Sequence, residues 1–329
     1  MNNNLFNKIC NYCELGLPVG KPKRISGGYM HKMYRIQTSN GDYAVKLLNP
    51  VIMQRKDVMK NYALAESLEA KCQLSDIPVV PALEFNGKKM QCIDNQHFYV
   101  FDWINGKSLN QKKIKREHCE TIGKILAQIH KLECSEEYIE KNDVVIDWDF
   151  YIAKAKDICP KVSKVLSVNK ELLYKSMEKG NLAYKEIPKI VCVSNGDMDS
   201  KNVLWIDDKP QIIDLECLNY GNPFTELFQL SLCWCGYEHC KINYDLLGAF
   251  IKSYIKEYGS FNADWEDLYY SNIGRLEWLE YNVKRALLIE CQDKAEQKLG
   301  INQVKETMKH IIYYENEKDT LLSFLKSIV

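Results

Sequence analysis

Three polar residues late in the chain have the types and the spacing for chemistry on a phosphate. Asp197 is followed five positions on by Asn202, and a second aspartate, Asp214, follows the apolar pair Ile212-Ile213 in Gln211-Ile212-Ile213-Asp214. Taken singly, an aspartate in a turn is ordinary. Here short apolar runs on either side of a turn bring the three side chains to one edge. Asparagine and aspartate oxygens suit a hard cation such as Mg2+, which shares its remaining coordination with substrate phosphates. One carboxylate then stays free to orient an attacking hydroxyl. Those are parts that phosphoryl transfer requires.

The remaining part, a positive anchor for nucleotide phosphates, lies far upstream. In the run Tyr43-Ala44-Val45-Lys46-Leu47-Leu48, Ala44 and Lys46 share a face of a strand. The small residue leaves room for a flat base while the ammonium reaches phosphate oxygens. Ser26-Gly27-Gly28 stands between two strand-like runs, where glycine permits close backbone approach to phosphate. Glu66, on the helix expected next, is in register to hold Lys46 extended, with Glu69 as the rival one turn on.

The elements that position these groups fall into two regions. Up to about residue 103 the pattern reads mainly as strands: 24–28 leads into 33–38, followed by 43–48 and 97–103, with two-residue turns at Asn40-Gly41 and Asn86-Gly87. The one helix expected there, 56–74, ends before Ile77-Pro78 because the residue preceding proline disfavours the helical region. Beyond Asn105-Gly106 the pattern is helical: Ile122, Ile125, Leu126, Ile129 and Leu132 make one apolar stripe, and Leu276, Leu279, Val283 and Leu287 another. Residues 147–180, 223–258 and 302–328 read likewise, and 190–213 is the strand-like exception. No internal repeat or low-complexity segment interrupts the pattern.

In these motifs the chain resembles the aminoglycoside phosphotransferase and choline kinase family, the protein-kinase-like small-molecule kinases, from about residue 23 to about residue 290. The resemblance rests on Ala44-Val45-Lys46, Phe98-Tyr99-Val100-Phe101-Asp102-Trp103-Ile104-Asn105-Gly106, Leu126-Ala127-Gln128-Ile129-His130, Asp197/Asn202/Asp214 and Tyr220-Gly221-Asn222-Pro223. It implies an α+β, bilobal protein-kinase-like fold: a small antiparallel β-sheet lobe with one main helix, and a larger α-helical lobe. The implied division is a nucleotide lobe over 1–101, a hinge over 102–106 and a catalytic lobe over 107–329. By the same resemblance, ATP (or GTP) and Mg2+ are the cofactors. Asp197 looks like the catalytic base, and Asn202 and Asp214 like the Mg2+ ligands. Lys46 is similar to the lysine on the α- and β-phosphates, with Glu66 as its ion-pair partner. Phe101, Asp102 and Ile104 look like the hinge, with the Asp102 carbonyl and the Ile104 amide on adenine. Asn195-Gly196-Asp197 departs from the family's usual His-Gly-Asp, and Asn195 is expected to donate the hydrogen bonds that orient the loop. Asn222 and Glu226 stand where other acids are common.

Composition bounds the partners. The 44 basic and 44 acidic residues of the 329 cancel, which argues against nucleic acid or an anionic membrane as partner. No run approaches the roughly 18 apolar residues of a membrane span. The polar start Met1-Asn2-Asn3-Asn4 predicts no secretory signal, and the chain reads as cytoplasmic. Thirteen cysteines, an odd number, read as free thiols; Cys233, Cys235, His239 and Cys240 lack paired-knuckle spacing and read as buried thiols rather than a zinc site. The segment 257–281 sets six carboxylates against Arg275, interleaved with Trp265, Tyr269, Tyr270, Trp278 and Tyr281. That composition suits a small cationic acceptor, an aminoglycoside first and choline, ethanolamine or another metabolite second, or else a solvated helix face with its aromatics in the core. Asp199, Glu277, Trp278 and Tyr281 are the candidate acceptor contacts, and Asp147-Trp148-Asp149 is a further approach to the same cleft. A pseudoenzyme of the same fold is disfavoured because Lys46, Asp197, Asn202 and Asp214 are all present. A monomer or weak dimer is expected.

Overall fold

The computed structural model describes residues 3–25, 30–135 and 142–328. The chain forms two compact units. Residues 1–110 and 195–219 make the first; 111–194 and 220–329 make the second. The segment that carries Asp197, Asn202 and Asp214 therefore packs with the unit that carries Lys46, whereas the sequence division counted it with the helical lobe.

In the first unit, helix α1 (Asn3–Tyr12) precedes strands β1 (Lys23–Ile25), β2 (Lys32–Thr38) and β3 (Gly41–Leu47). Helix α2 (Val58–Leu74) follows, then β4 (Gln91–Ile93) and β5 (Gln96–Asp102). The five strands form one antiparallel sheet in the order β1-β2-β3-β5-β4. Both faces of β3 are covered, which is why Ala44, Val45, Lys46 and Leu47 are all buried although side chains alternate. Val45 and Leu47 pack with Phe6, Ile9 and Cys10 of α1, a helix the sequence reading missed. On the other side Tyr62 of α2 packs with Leu48, Ala82 and Tyr99.

The turns follow local chemistry closely. Asn86 (φ 52°) and Gly87 (φ 74°) both take the left-handed conformation that a two-residue hairpin turn demands. The first hairpin is shifted one residue from expectation: Thr38 pairs with Gly41, so Ser39-Asn40 makes the turn and Gly41 opens β3. Two further strands, Val203–Ile206 and Lys209–Ile212, pair with each other, and the first also pairs with Lys107–Ser108.

Among its described residues the second unit is built on long helices. Trp148, Leu166, Leu173, Leu276, Leu279, Val283, Val304 and Ile311 form one hydrophobic core within it. Helix Arg116–Lys131 lies along helix Tyr244–Tyr258, close enough that a Cβ on Gly123 would stand 2.5 Å from the Phe250 carbonyl oxygen. No helix among the described residues is long and apolar enough to cross a membrane.

Candidate active site

Lys46 sits on the covered stretch of β3, only 4% exposed, and its ammonium is ion-paired with both Asp214 and Glu216. Burial alone would pull an ammonium down; the two carboxylates outweigh it and hold Lys46 above the ordinary lysine range. Asp214 adopts left-handed backbone (φ 64°, ψ 55°) just before the short helical turn Leu215–Cys217, which places Glu216 beside it. Glu216 is desolvated, which would raise its pKa, yet Lys46 and then His31 lower it. His31 Nδ1 accepts the Asn49 amide proton (3.0 Å), so Nε2 carries the ring hydrogen that faces Glu216 Oε1 at 3.2 Å.

Two expectations about the lysine's partner are thereby corrected. Glu66 accepts a hydrogen bond from the Tyr99 hydroxyl (2.7 Å), and Glu69 is ion-paired with Lys89. Register along α2 was the only basis for choosing between them, and the second carboxylate on Lys46 comes instead from Glu216. A glutamate two residues after Asp214 was visible in the sequence, but nothing local signalled its partner.

The loop that carries Asp197 is fixed by its own polar groups. Gly196 has φ 75°, and a Cβ there would stand 2.9 Å from the Cys217 carbonyl oxygen, so the turn into Asp197 needs glycine. Asn195 is buried and accepts the Asp197 amide proton at its Oδ1 (3.1 Å), while its Nδ2 finds no hydrogen-bond partner. It orients the loop by accepting, where donation was expected. Asn202 Nδ2 donates to the Asp197 carbonyl (2.9 Å) and to Asp197 Oδ2 (2.8 Å). The Ile213 amide donates to the Asn202 carbonyl (2.9 Å), so the two strands that end here hold Asn202 and Asp214 as neighbours.

This donor set fits a hard cation. The Asn202 amide nitrogen is committed to Asp197, which leaves Oδ1 as its ligating atom, and Asp214, whose Oδ1 holds Lys46, adds Oδ2. Among the described residues no group of three or more His, Cys, Asp or Glu side chains could hold a metal. A cation on Asn202 and Asp214 would therefore complete its shell from phosphate oxygens and water, as Mg2+ does.

Burial raises the Asp197 carboxyl to about 7, with Lys201 pulling it down and Asp199 and Asp214 pushing it up. Lys201 Nζ lies 3.5 Å from Asp197 Oδ1 and 2.6 Å from Asp199 Oδ2. Asp199 Oδ1 also accepts the Lys201 amide proton at 2.9 Å. Asp199, a candidate acceptor contact, is thus engaged with Lys201.

The nucleotide-side residues of the described chain share this unit. Ala44 is buried, and Phe101 is partly buried against the Tyr62 and Tyr99 cluster. Asp102 pairs with Tyr43 at the end of β5, and the Trp103 amide donates to the Asp42 carbonyl (3.0 Å). Ile104 follows in irregular backbone. Ser26, Gly27 and Gly28 lie outside the described residues.

In the second unit, a cavity of about 580 Å³ is lined by Glu277, Glu280, Asp143, Tyr184, Tyr220 and others. Trp278 and Tyr281 follow on the same helix, with ring centroids 5.5 Å apart. Three other residues of the acidic-aromatic segment serve the core or a helix cap. Trp265 and Tyr269 are buried, and Asp264 caps helix Trp265–Ser271. Asp147 caps helix Trp148–Ile158, Trp148 is buried, and Asp149 pairs with Lys170. Asn222 caps helix Pro223–Trp234, and Glu226 binds His130 Nε2 (2.8 Å). Cys235 is buried, while Cys233 and Cys240 are half-buried.

Residues 21–169 match the sequence model of the phosphotransferase enzyme family (APH). Stress response kinase A of Salmonella choleraesuis (strain SC-B67) is 20% identical over 221 residues, covering 66% of this chain and 65% of that protein. The chain therefore spans just under two thirds of the length of the curated relatives it matches. Among solved structures, spectinomycin phosphotransferase APH(9)-Ia in complex with ADP and spectinomycin superposes with a TM-score of 0.67 at 14% identity, covering 96% of this chain and 99% of that one. Choline kinase from Cryptosporidium parvum Iowa II gives a TM-score of 0.53 at 13% identity, with 100% and 98% covered. The resemblance read from the sequence and its protein-kinase-like fold are borne out. The family model is one of phosphotransferase enzymes, and the curated relatives are named as kinases.

Proposed function

We propose that the protein is an ATP- and Mg2+-dependent phosphotransferase that moves the γ-phosphate to a hydroxyl of a small cationic molecule, with an aminoglycoside-type antibiotic as the leading acceptor. The observation that carries this reading is one unit holding Lys46 paired with Asp214 and Glu216 and, tied to them by the Ile213 amide on the Asn202 carbonyl, Asn202 bonded to Asp197. Lys46, buried and positive, would bind the α- and β-phosphates. Asn202 and Asp214 would hold Mg2+, whose bound charge would offset that of the phosphate oxygens. Ala44, Phe101, Asp102 and Ile104 would take the adenine, and Glu66 would brace that site through Tyr99.

Asp197 would accept the proton of the acceptor hydroxyl. With Oδ2 committed to Asn202, Oδ1 is the oxygen that receives it. A base near neutral pH suits that task, because its basic form is populated while it still binds a proton well.

Within the second unit, Glu277, Glu280 and Asp143 line a cavity together with Lys189; Lys284 pairs with Glu280 and Lys185 with Asp143, which leaves Glu277 as the carboxylate that suits a cationic molecule. Tyr184 and Tyr220 in the same lining favour choline or ethanolamine as the second reading, since aromatic faces attract organic ammonium groups, quaternary ones above all. The test is release of nucleoside diphosphate from ATP and from GTP with a panel of aminoglycosides, spectinomycin, choline and ethanolamine. Stimulation by one class identifies the acceptor; none by any member overturns both.

A further inference from the structure

Lys201 is the second lysine at the carboxylates of this site, and its surroundings differ from those of Lys46. Lys46 is buried and taken up by Asp214 and Glu216. The Lys201 side chain is 47% exposed and stands at the Asp197 end. Asp199, whose side chain is only 13% exposed, grips it twice: Oδ1 accepts the Lys201 amide at 2.9 Å and Oδ2 its ammonium at 2.6 Å. One carboxylate thus fixes both ends of the lysine. Its Nζ is left 3.5 Å from Asp197 Oδ1, the oxygen that Asn202 does not use.

This inference rests on the proposed function. An acceptor hydroxyl that donates to Asp197 Oδ1 stands about 2.7 Å from it. In a near-attack arrangement the phosphorus lies about 3–3.5 Å beyond that oxygen. An ammonium 3.5 Å from Oδ1 on a flexible side chain is within reach of the oxygens of the group in flight, where negative charge must be offset.

We propose that Lys201 contacts the γ-phosphoryl oxygens of the donor nucleotide during transfer, and that Asp199 is the positioning residue that holds Lys201 there. In the step, the bond from the acceptor oxygen to phosphorus forms and the bond from phosphorus to the β,γ-bridging oxygen breaks. The nucleoside diphosphate leaves with that electron pair, the hydroxyl proton passes to Asp197, and Lys201 keeps its own protons.

The test is calorimetric titration of Lys201→Met, Lys201→Arg and Asp199→Asn with Mg2+ and either ADP or the non-hydrolysable β,γ-imido analogue of ATP. In Lys201→Met, ADP affinity should stay within about twofold of the wild type while analogue affinity falls about fivefold to tenfold. Lys201→Arg should recover most of the analogue affinity, and Asp199→Asn should lose part of it. A merely structural lysine would not change the ratio between the two nucleotides. An unchanged ratio in a Lys201→Met protein with wild-type melting temperature overturns the proposal. Failure of the underlying reading is separately visible, because the wild type would then bind neither nucleotide.

Discussion

The ammonium of Lys46 is ion-paired with Glu216, 170 positions later in the chain, while Glu66 is bonded to Tyr99. Glu216 in turn faces His31 Nε2, so one carboxylate joins β3 to the residue just before β2. Both oxygens of Glu216 are used, and removing its charge leaves Asp214 as the carboxylate on a buried cation. Glu216→Gln should therefore weaken Mg-nucleotide binding about tenfold, since a charge-assisted contact contributes about 1.5–3 kcal/mol. Glu66→Gln should change it less than threefold. Calorimetric titration of both variants checks the order; equal effects would restore Glu66 as the lysine's functional partner.

Asp197 and Asp214 should separate chemistry from binding. Asp197→Ala should lower turnover by about 10²–10⁴, the usual contribution of a general base, with nucleotide affinity nearly unchanged. Asp214→Ala should weaken Mg-ATP binding itself and raise the Mg2+ concentration needed for half-saturation. Near-normal turnover by the first variant would remove Asp197 from its role. Wild-type Mg2+ dependence in the second would do the same for Asp214.

The raised Asp197 pKa also has a stability consequence. Its folded value of about 7 lies above the unfolded 3.8, so the native state binds the proton more tightly. Well below pH 4 the carboxyl is protonated in both states and costs nothing. Between about pH 4 and pH 7 the unfolded state ionises first, and native stability falls as pH rises. Asp197→Asn, which removes that charge, should raise the melting temperature of nucleotide-free protein more at pH 8 than at pH 5. An equal shift at both values would show that burial does not penalise this carboxylate.

Gly123 sets how closely two helices of the second unit approach. A Cβ would stand 2.5 Å from the Phe250 carbonyl oxygen, which belongs to helix backbone and cannot swing aside. Gly123→Ala should therefore destabilise by about 1–3 kcal/mol despite alanine's better helix propensity. Denaturant unfolding measures it. A stabilised variant would mean that the two helices can move apart at little cost.

What the sequence determined by itself is local. The turn at Asn86-Gly87, strand β3 with Ala44 and Lys46 on one face, and the Asp197-to-Asn202 spacing all depend on a few consecutive residues. Backbone geometry ties such residue types to one shape. The tertiary structure decided which charged groups meet. Lys46 finds Asp214 and Glu216 across 168 and 170 positions, and α1 covers the face of β3 opposite them. It also turned Trp265 and Tyr269 into the core and left Glu277 beside a cavity, although all three belong to one acidic-aromatic segment. A buried charge must be satisfied by whatever packing brings near, and that selection is made among elements distant in sequence. Register along α2 could propose Glu66, but only the folded arrangement supplies Glu216.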